Sequence, residues 1–388
     1  MSSRRIIITV VFLLAFLTGV NFVVFPALGN AFMDSSLFAL SASQFGNLFV
    51  PQVICIIISC LSAPFLVNKW GPKVILAVGI VLMLASTGSL WFLHYFITEK
   101  SLLFPMLLIL VACTGMGFGF SITTLNPLAA SLFEKENSSA ILILQFLVGL
   151  GTSTSPLMMN LIGDIKHWMY VPGLIFIVVS LVFIVFLLLK IEKGTFFELP
   201  GHFKIPGKLW IFFAAIILYG CVEGTFGSFG GVILKNKGLD NSNASLGLSL
   251  FWAGIALNRL LFGIFSKKFD LSLFFITAPL WVGLLLLLLL IYPNIHILLI
   301  MMFLIGFFMG SIFPGSIGWG TVEFPAYSVL VSGFLMAANQ VGTGVVTNVL
   351  GRFSNDISVI LGILILFMLF ICILFFYLKK GSKIKEAF

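Results

Sequence analysis

The sequence predicts an all-α integral membrane protein of twelve transmembrane helices, arranged as two pseudo-symmetric six-helix bundles. Three observations carry that expectation. Of the 388 residues, 60% are apolar and 9% charged, where a soluble domain keeps about a quarter of its residues charged. A chain this poor in charge cannot cover itself against water and takes lipid as its solvent. Twelve apolar runs reach the roughly 20 residues that a hydrocarbon core requires. The longest break between them, Ile191 to Lys208, is polar and basic and divides the runs six and six.

The runs fall, within a few residues, at 6–33, 43–67, 74–97, 102–130, 138–162, 170–190, 209–234, 243–266, 272–291, 296–320, 327–350 and 357–378. Arg4 and Arg5 stand before the first. That run is too long for a signal peptide and has no small-residue cleavage site, so it is read as a retained helix. The second ends in a basic turn, Asn68-Lys69-Trp70-Gly71-Pro72-Lys73, whose Gly and Pro break helices. Gly115-Met116-Gly117-Phe118-Gly119 in the fourth run, and Gly220, Gly224, Gly227, Gly230 and Gly231 in the seventh, permit close helix approach and bending. The expected domains are residues 1–190, a cytoplasmic linker 191–208, and 209–388.

Orientation follows from the basic residues. With the N-terminus in the cytoplasm, fifteen of the 21 Lys and Arg gather on the cytoplasmic side. Only Lys100, Lys166, Lys235, Lys237 and Arg352 lie on the other. Cytoplasmic loops carry the positive excess, so both termini and the linker are expected there. The net charge of +8 is therefore topological, and no nucleic-acid partner is expected.

The pattern also excludes function classes. Cys55, Cys60, Cys113, Cys221 and Cys372 lie inside apolar runs without metal-ligand spacing. His94, His167, His202 and His296 form no cluster. With no nucleophile beside a base and no phosphate loop, the chain is expected to be no enzyme and to need no metal or cofactor.

Charge inside a span costs at least about 2.5–3.5 kcal/mol on insertion scales, so each instance needs a partner or a purpose. Two residues qualify, Glu223 in the seventh run and Arg259 in the eighth. Glu223 lies near mid-depth, where a carboxylate that a proton can neutralise is a candidate proton carrier. The alternative is a Glu held by hydrogen bonds from neighbouring helices. Arg259 keeps its proton and so braces a gate or offers its fork to a solute. A pair with Glu223 is not assumed, because their depths differ. Asn21, Asn126, Gln145, Asn339 and Gln340 are read either as interhelical glue or as solute ligands. Phe25 and Trp252 are candidate stacking faces for a ring.

Two six-run halves invite a search for duplication. The turn at 68–73 is answered by Ser266-Lys267-Lys268-Phe269-Asp270, and Asn160 to Asp164 by Asn348 to Arg352. The first and seventh runs can be laid together with Asn21 on Glu223 and Gly29 on Gly231. The turn itself resembles the signature of the major facilitator superfamily, close to G-x-L-A-D-R-x-G-R-R. Leu66, Lys69, Gly71 and Lys73 fit it, and Asn68 replaces the usual Asp. The resemblance implies a gating role for Asn68, Lys69, Gly71 and Lys73. It also implies two bundles around a central cavity that rock to give alternating access.

A narrower resemblance is to the fucose permease-like branch, the fucose–galactose–glucose proton symporters and relatives. Gly115 to Gly119 with Thr123, Asn126 and Pro127 is similar to its G-x-G-x-G-x-L-E-T-x-x-N-P. Phe251 to Gly263 is similar to its F-W-x-G-x-x-x-G-R, and Gln145 and Gly151 fit Q-x-x-N-x-x-G. Glu223 is found in many of its members, and Ile312-Phe313-Pro314 fits in the tenth run. There are departures: Phe22 stands at an Asp position, Ile122 at a Glu position and Val148 at an Asn position. What the resemblance implies is a secondary transporter of a small polar solute, with Glu223 carrying any coupled proton. It would act as a monomer in the lipid bilayer of a bacterial inner membrane. The missing carboxylates keep an uncoupled facilitator or exchanger, or an efflux transporter, as alternatives. A transport-inactive receptor or scaffold is the alternative of another class.

Overall fold

The structure is a computed structural model. It describes every residue except 1, 97–99, 133–136, 192–206, 267, 292–294, 325–327, 354–356, 381, 383 and 385–388. Among the described residues the chain forms α-helices and one 3-10 turn, with no strand. The first eight helices are α1 (Ser2–Phe22), α2 (Val24–Ala27), α3 (Gly29–Met33), α4 (Ala42–Trp70), α5 (Pro72–Phe96), α6 (Lys100–Ser131), α7 (Asn137–Ile162) and α8 (Tyr170–Leu188). Then follow α9 (Gly207–Asn236), α10 (Asn241–Phe265), α11 (Ser272–Ile291), α12 (Ile295–Met309), α13 (Ile312–Glu323), α14 (Ser328–Phe353) and α15 (Ile357–Lys379). Two compact units divide the chain, Met1–Leu199 and Pro200–Phe388. The expected linker, 191–208, lies almost wholly outside the described residues.

Ten helical stretches among the described residues are long and apolar enough to cross a membrane. The helices α7 and α14, each of 26 residues, carry polar stretches at 151–155 and 339–343. The outer face is apolar like the core, and small hydroxyl residues are carried inside. Leu188, Leu161, Ile109 and Leu366 are exposed, whereas Ser59, Ser86, Thr114, Ser155 and Thr225 are buried. Many buried hydroxyls turn to carbonyls, as Ser155 does to Val20 O across the α1–α7 contact (2.7 Å), which satisfies them in a solvent that offers no hydrogen bonds.

Two spans read as continuous are broken. The first becomes α1, α2 and α3, and Pro26 explains the first break: it has no N–H for the carbonyl of Phe22, four residues back. The tenth becomes α12 and α13, with the break at Gly310–Ser311, again four residues before a proline, Pro314. Other boundaries follow local rules. Ser41 and Gln44 close a capping box at the start of α4. Gly71, at φ 88°, ends it and lets Pro72 open α5.

Glycines set the helix crossings and reveal the internal repeat. A Cβ on Gly19 would collide with the carbonyl of Val148, and one on Gly151 with that of Phe16, so α1 and α7 cross backbone to backbone. In the second unit Gly220 meets the carbonyl of Asn339, and Gly342 that of Ile217, at the α9–α14 crossing. The α4–α6 contact of Gly115 with Gln52 recurs as Gly306 with Phe251 between α10 and α12. This register corrects the sequence alignment of the halves by one residue. Glu223 corresponds to Phe22 rather than Asn21, because packed glycines define the repeat and polar residue type does not.

Candidate functional site

Glu223 lies just past the middle of the 30-residue α9 and is only 9% exposed. Three elements of the second unit converge on it. Tyr219, one turn earlier on the same helix face, donates from its hydroxyl to Oε1 at 2.9 Å. Asn339 of α14 donates from Nδ2 to Oε2 at 2.9 Å. Nη2 of Arg259, from α10, stands 3.9 Å from Oε1, an ion pair too long for a hydrogen bond. The sequence reading left this pair open because the two residues differ in depth; the long Arg side chain spans the difference. Donors on both oxygens and a cation nearby are what make a mid-span carboxylate tolerable.

Arg259 has a second attachment. Its Nε donates to the carbonyl of Gly310 at 3.3 Å. That carbonyl would normally accept from the N–H of residue 314, which is proline and has none. The broken tenth span therefore presents a free acceptor, and Arg259 takes it. Next to it, the Tyr219 ring stacks on Phe313 of α13, with centroids 6.2 Å apart and planes at 13°.

Other expected site residues are placed as follows. Gln340 is buried beside Asn339, with Oε1 unpartnered. Trp252 is buried against Phe251 and Gly227, with Nε1 unpartnered. In the first unit, Gln145 Nε2 donates to Asn126 Oδ1 at 2.9 Å, joining those two amides. Asn21 turns Nδ2 back to Leu17 O at 3.1 Å and leaves Oδ1 unpartnered. Phe25 is fully buried, its ring against Phe32. At the basic turn, the Lys69 ammonium lies 5.4 Å from the Trp70 ring. Lys73 donates from Nζ to the carbonyls of Leu187 and Leu189 at 2.7 and 2.6 Å, capping the C-terminal end of α8. The Asn68 side chain lies outside the described residues. Among the described residues no group of three or more His, Cys, Asp and Glu could hold a metal.

The profile of the Major Facilitator Superfamily matches residues 7–347. The chain belongs to that family. It is a multi-pass membrane transporter of small solutes and not an enzyme. One relative of this major facilitator protein is the glucose/mannose transporter GlcP of Bacillus subtilis (strain 168), 24% identical over 318 residues, covering 78% of this chain and 77% of the relative. Among solved structures, a D-xylose–proton symporter matches with TM-score 0.75 at 15% identity, covering 98% of this chain and 99% of that one. The E. coli fucose:proton symporter FucP matches with TM-score 0.61 at 16% identity, covering 97% of this chain and 99% of that one. The fucose permease-like resemblance read from the motifs stands with these matches.

Within this major facilitator fold the charged site has no counterpart in the first unit. The glycine register sets Phe22 opposite Glu223, Val148 opposite Asn339 and Cys60 opposite Arg259. Phe22 instead stacks on Phe118, with centroids 4.3 Å apart. Sequence reasoning missed three contributors. Tyr219 reads as one more apolar residue in its run. Gly310 matters only through its carbonyl, although Pro314 was a legible signal for it. The third is an ion pair, Lys208 Nζ to Glu323 Oε1 at 3.1 Å, which joins the start of α9 to the end of α13.

Proposed function

We propose that this protein is a secondary transporter that carries a small polar solute of the sugar class by alternating access of its two bundles, exchanging a proton at Glu223. The observation that carries the reading is the Glu223 site itself. It is a buried carboxylate in an apolar bundle, touched by Tyr219 and Asn339 and faced by Arg259. One proton converts this acceptor into a neutral acid, removes its attraction to Arg259 and obliges Asn339 Nδ2 to find another oxygen. The site thus has two states that differ in charge and hydrogen bonding, and a solute or gradient that favours one shifts the population.

Support for the solute class comes from what the similar proteins are called: a glucose/mannose transporter, a D-xylose–proton symporter and a fucose:proton symporter. In this chain Asn126 and Gln145, with Asn21, Gln340 and Trp252, are the amide and aromatic groups assigned to solute hydroxyls and ring faces. The Lys and Arg asymmetry supports cytoplasmic termini in a bacterial inner membrane, and the transporter is taken to work as a monomer. The test is uptake of labelled D-glucose, D-mannose and D-xylose by proteoliposomes under an imposed pH gradient, with Glu223→Gln alongside. A gradient response in the parent that Glu223→Gln lacks supports the reading; equal responses overturn the assignment of Glu223.

A second reading, uncoupled facilitation, is favoured by Phe22 and Ile122, apolar where the resembling symporters carry acids, and by a Glu223 already supplied with donors. Glucose counterflow that ignores a protonophore would select it.

A further inference from the structure

We propose that Arg259 is a positioning residue that ties the charge on Glu223 to the placement of the half-helix α13. The tie rests on reading Glu223 as the site of proton exchange. Three contacts carry it. Arg259 faces Glu223 with Nη2 and holds the Gly310 carbonyl with Nε, so one guanidinium spans the carboxylate and the α12–α13 break. Pro314 makes that carbonyl available, because residue 314 cannot donate to it. Tyr219, which donates to Glu223, stacks on Phe313 in the first turn of α13.

The remainder of α13 is short and separately anchored. It runs twelve residues from Ile312 to Glu323, and Glu323 is held by Lys208 at its far end. No helical hydrogen bond reaches across the break to Gly310 from Pro314, so Arg259 fixes the α12 side of the break while Tyr219, stacked on Phe313, carries the Glu223 site to the start of α13. The groups facing Glu223 are Tyr219 from α9, Arg259 from α10 and Asn339 from α14. Among the described residues Arg259 is the one cation within ion-pair reach of it.

When Glu223 is ionised, Arg259 is drawn between the carboxylate and Gly310, and α13 is held. When Glu223 is neutral the guanidinium loses its ionic anchor and α13 is freer to swing about Gly310–Ser311. Charge at the buried site becomes position of a half-helix. Arg259 therefore acts through Gly310 and Glu223 and need not touch solute.

The test needs no solute. Gly318 of α13 is partly exposed, and a Cβ placed there meets nothing within 4 Å. A thiol introduced by Gly318→Cys, with Cys55, Cys60, Cys113, Cys221 and Cys372 replaced by alanine, is labelled with a fluorescent maleimide at fixed pH in proteoliposomes. Arg259→Gln and Glu223→Gln each raise the labelling rate, by about tenfold, the order of population shift expected when the ion pair between the two side chains is lost. Pro314→Ala returns an N–H to Gly310, so in that background labelling stops responding to Glu223→Gln. This second variant keeps the question open to refutation should Arg259→Gln fail to fold. Labelling indifferent to Arg259→Gln, or a Glu223→Gln response that survives Pro314→Ala, overturns the tie. If the tie fails while Glu223→Gln still abolishes gradient-driven uptake, the transport reading survives alone. If labelling behaves as expected while uptake ignores the gradient, the reverse holds.

Discussion

At the scale of single residues, the site rests on one carboxylate whose environment makes its charge tolerable. Removing a partner from such a buried pair strands the other charge, at a cost of about 3–5 kcal/mol. Glu223→Ala is therefore expected to lower the melting temperature in detergent more than Tyr219→Phe, which removes one hydrogen bond worth about 1.5–3 kcal/mol. The double variant Glu223→Ala/Arg259→Ala should lose less than the two singles summed, because neither charge is then left alone. Strict additivity in the melting temperatures would mean that the 3.9 Å pair contributes no coupling. Glu223 and Arg259 were legible in the sequence because charge in an apolar run is conspicuous. Their pairing was not, since position along a helix says where a Cα lies and not where a long side chain ends. Tyr219 was invisible for a related reason: its ring belongs to the apolar pattern, and only its hydroxyl, one helical turn from Glu223, takes part.

At the scale of elements, small residues at crossings decide which helices pair. The same substitution should therefore have opposite effects at two glycines. A Cβ at Gly342 would strike the carbonyl of Ile217 on α9, whereas one at Gly362 of α15 meets nothing within 4 Å. Gly342→Ala is expected to destabilise by at least about 1–3 kcal/mol through forced helix separation. Gly362→Ala is expected to be neutral, or stabilising by about 0.5–1 kcal/mol through lost backbone freedom in the unfolded chain. Thermal unfolding in detergent reads both, and equal effects would refute the backbone-to-backbone crossing. Most of the expected spans were legible because an apolar run of spanning length has few other uses, and ten helical stretches among the described residues are long and apolar enough to cross a membrane. The breaks in the first and tenth spans were less so. Pro26 and Pro314 mark where a carbonyl loses its helical N–H, but Pro156 and Pro279 sit inside helices that continue through them.

At the scale of the whole molecule, composition predicted the class, charge placement the orientation, and motif strings the family. The duplication was visible in outline, yet its register was one residue off, because amides and acids drift between the halves while packed glycines do not. Orientation has a direct check. A C-terminal fusion to green fluorescent protein should fluoresce, and one to alkaline phosphatase should be inactive, since phosphatase folds outside the cytoplasm; the opposite pattern would overturn the placement of the termini. The halves also differ in chemistry. Where the second carries Glu223, Asn339 and Arg259, the first carries Phe22, Val148 and Cys60, so any charge coupling belongs to the second unit. The measurement that tests this most directly is sugar uptake into proteoliposomes with and without an imposed pH gradient, for the parent and for Glu223→Gln. The account predicts accumulation driven by the gradient in the parent and, in the variant, exchange that continues without accumulation. Gradient-driven accumulation that persists in Glu223→Gln would contradict it.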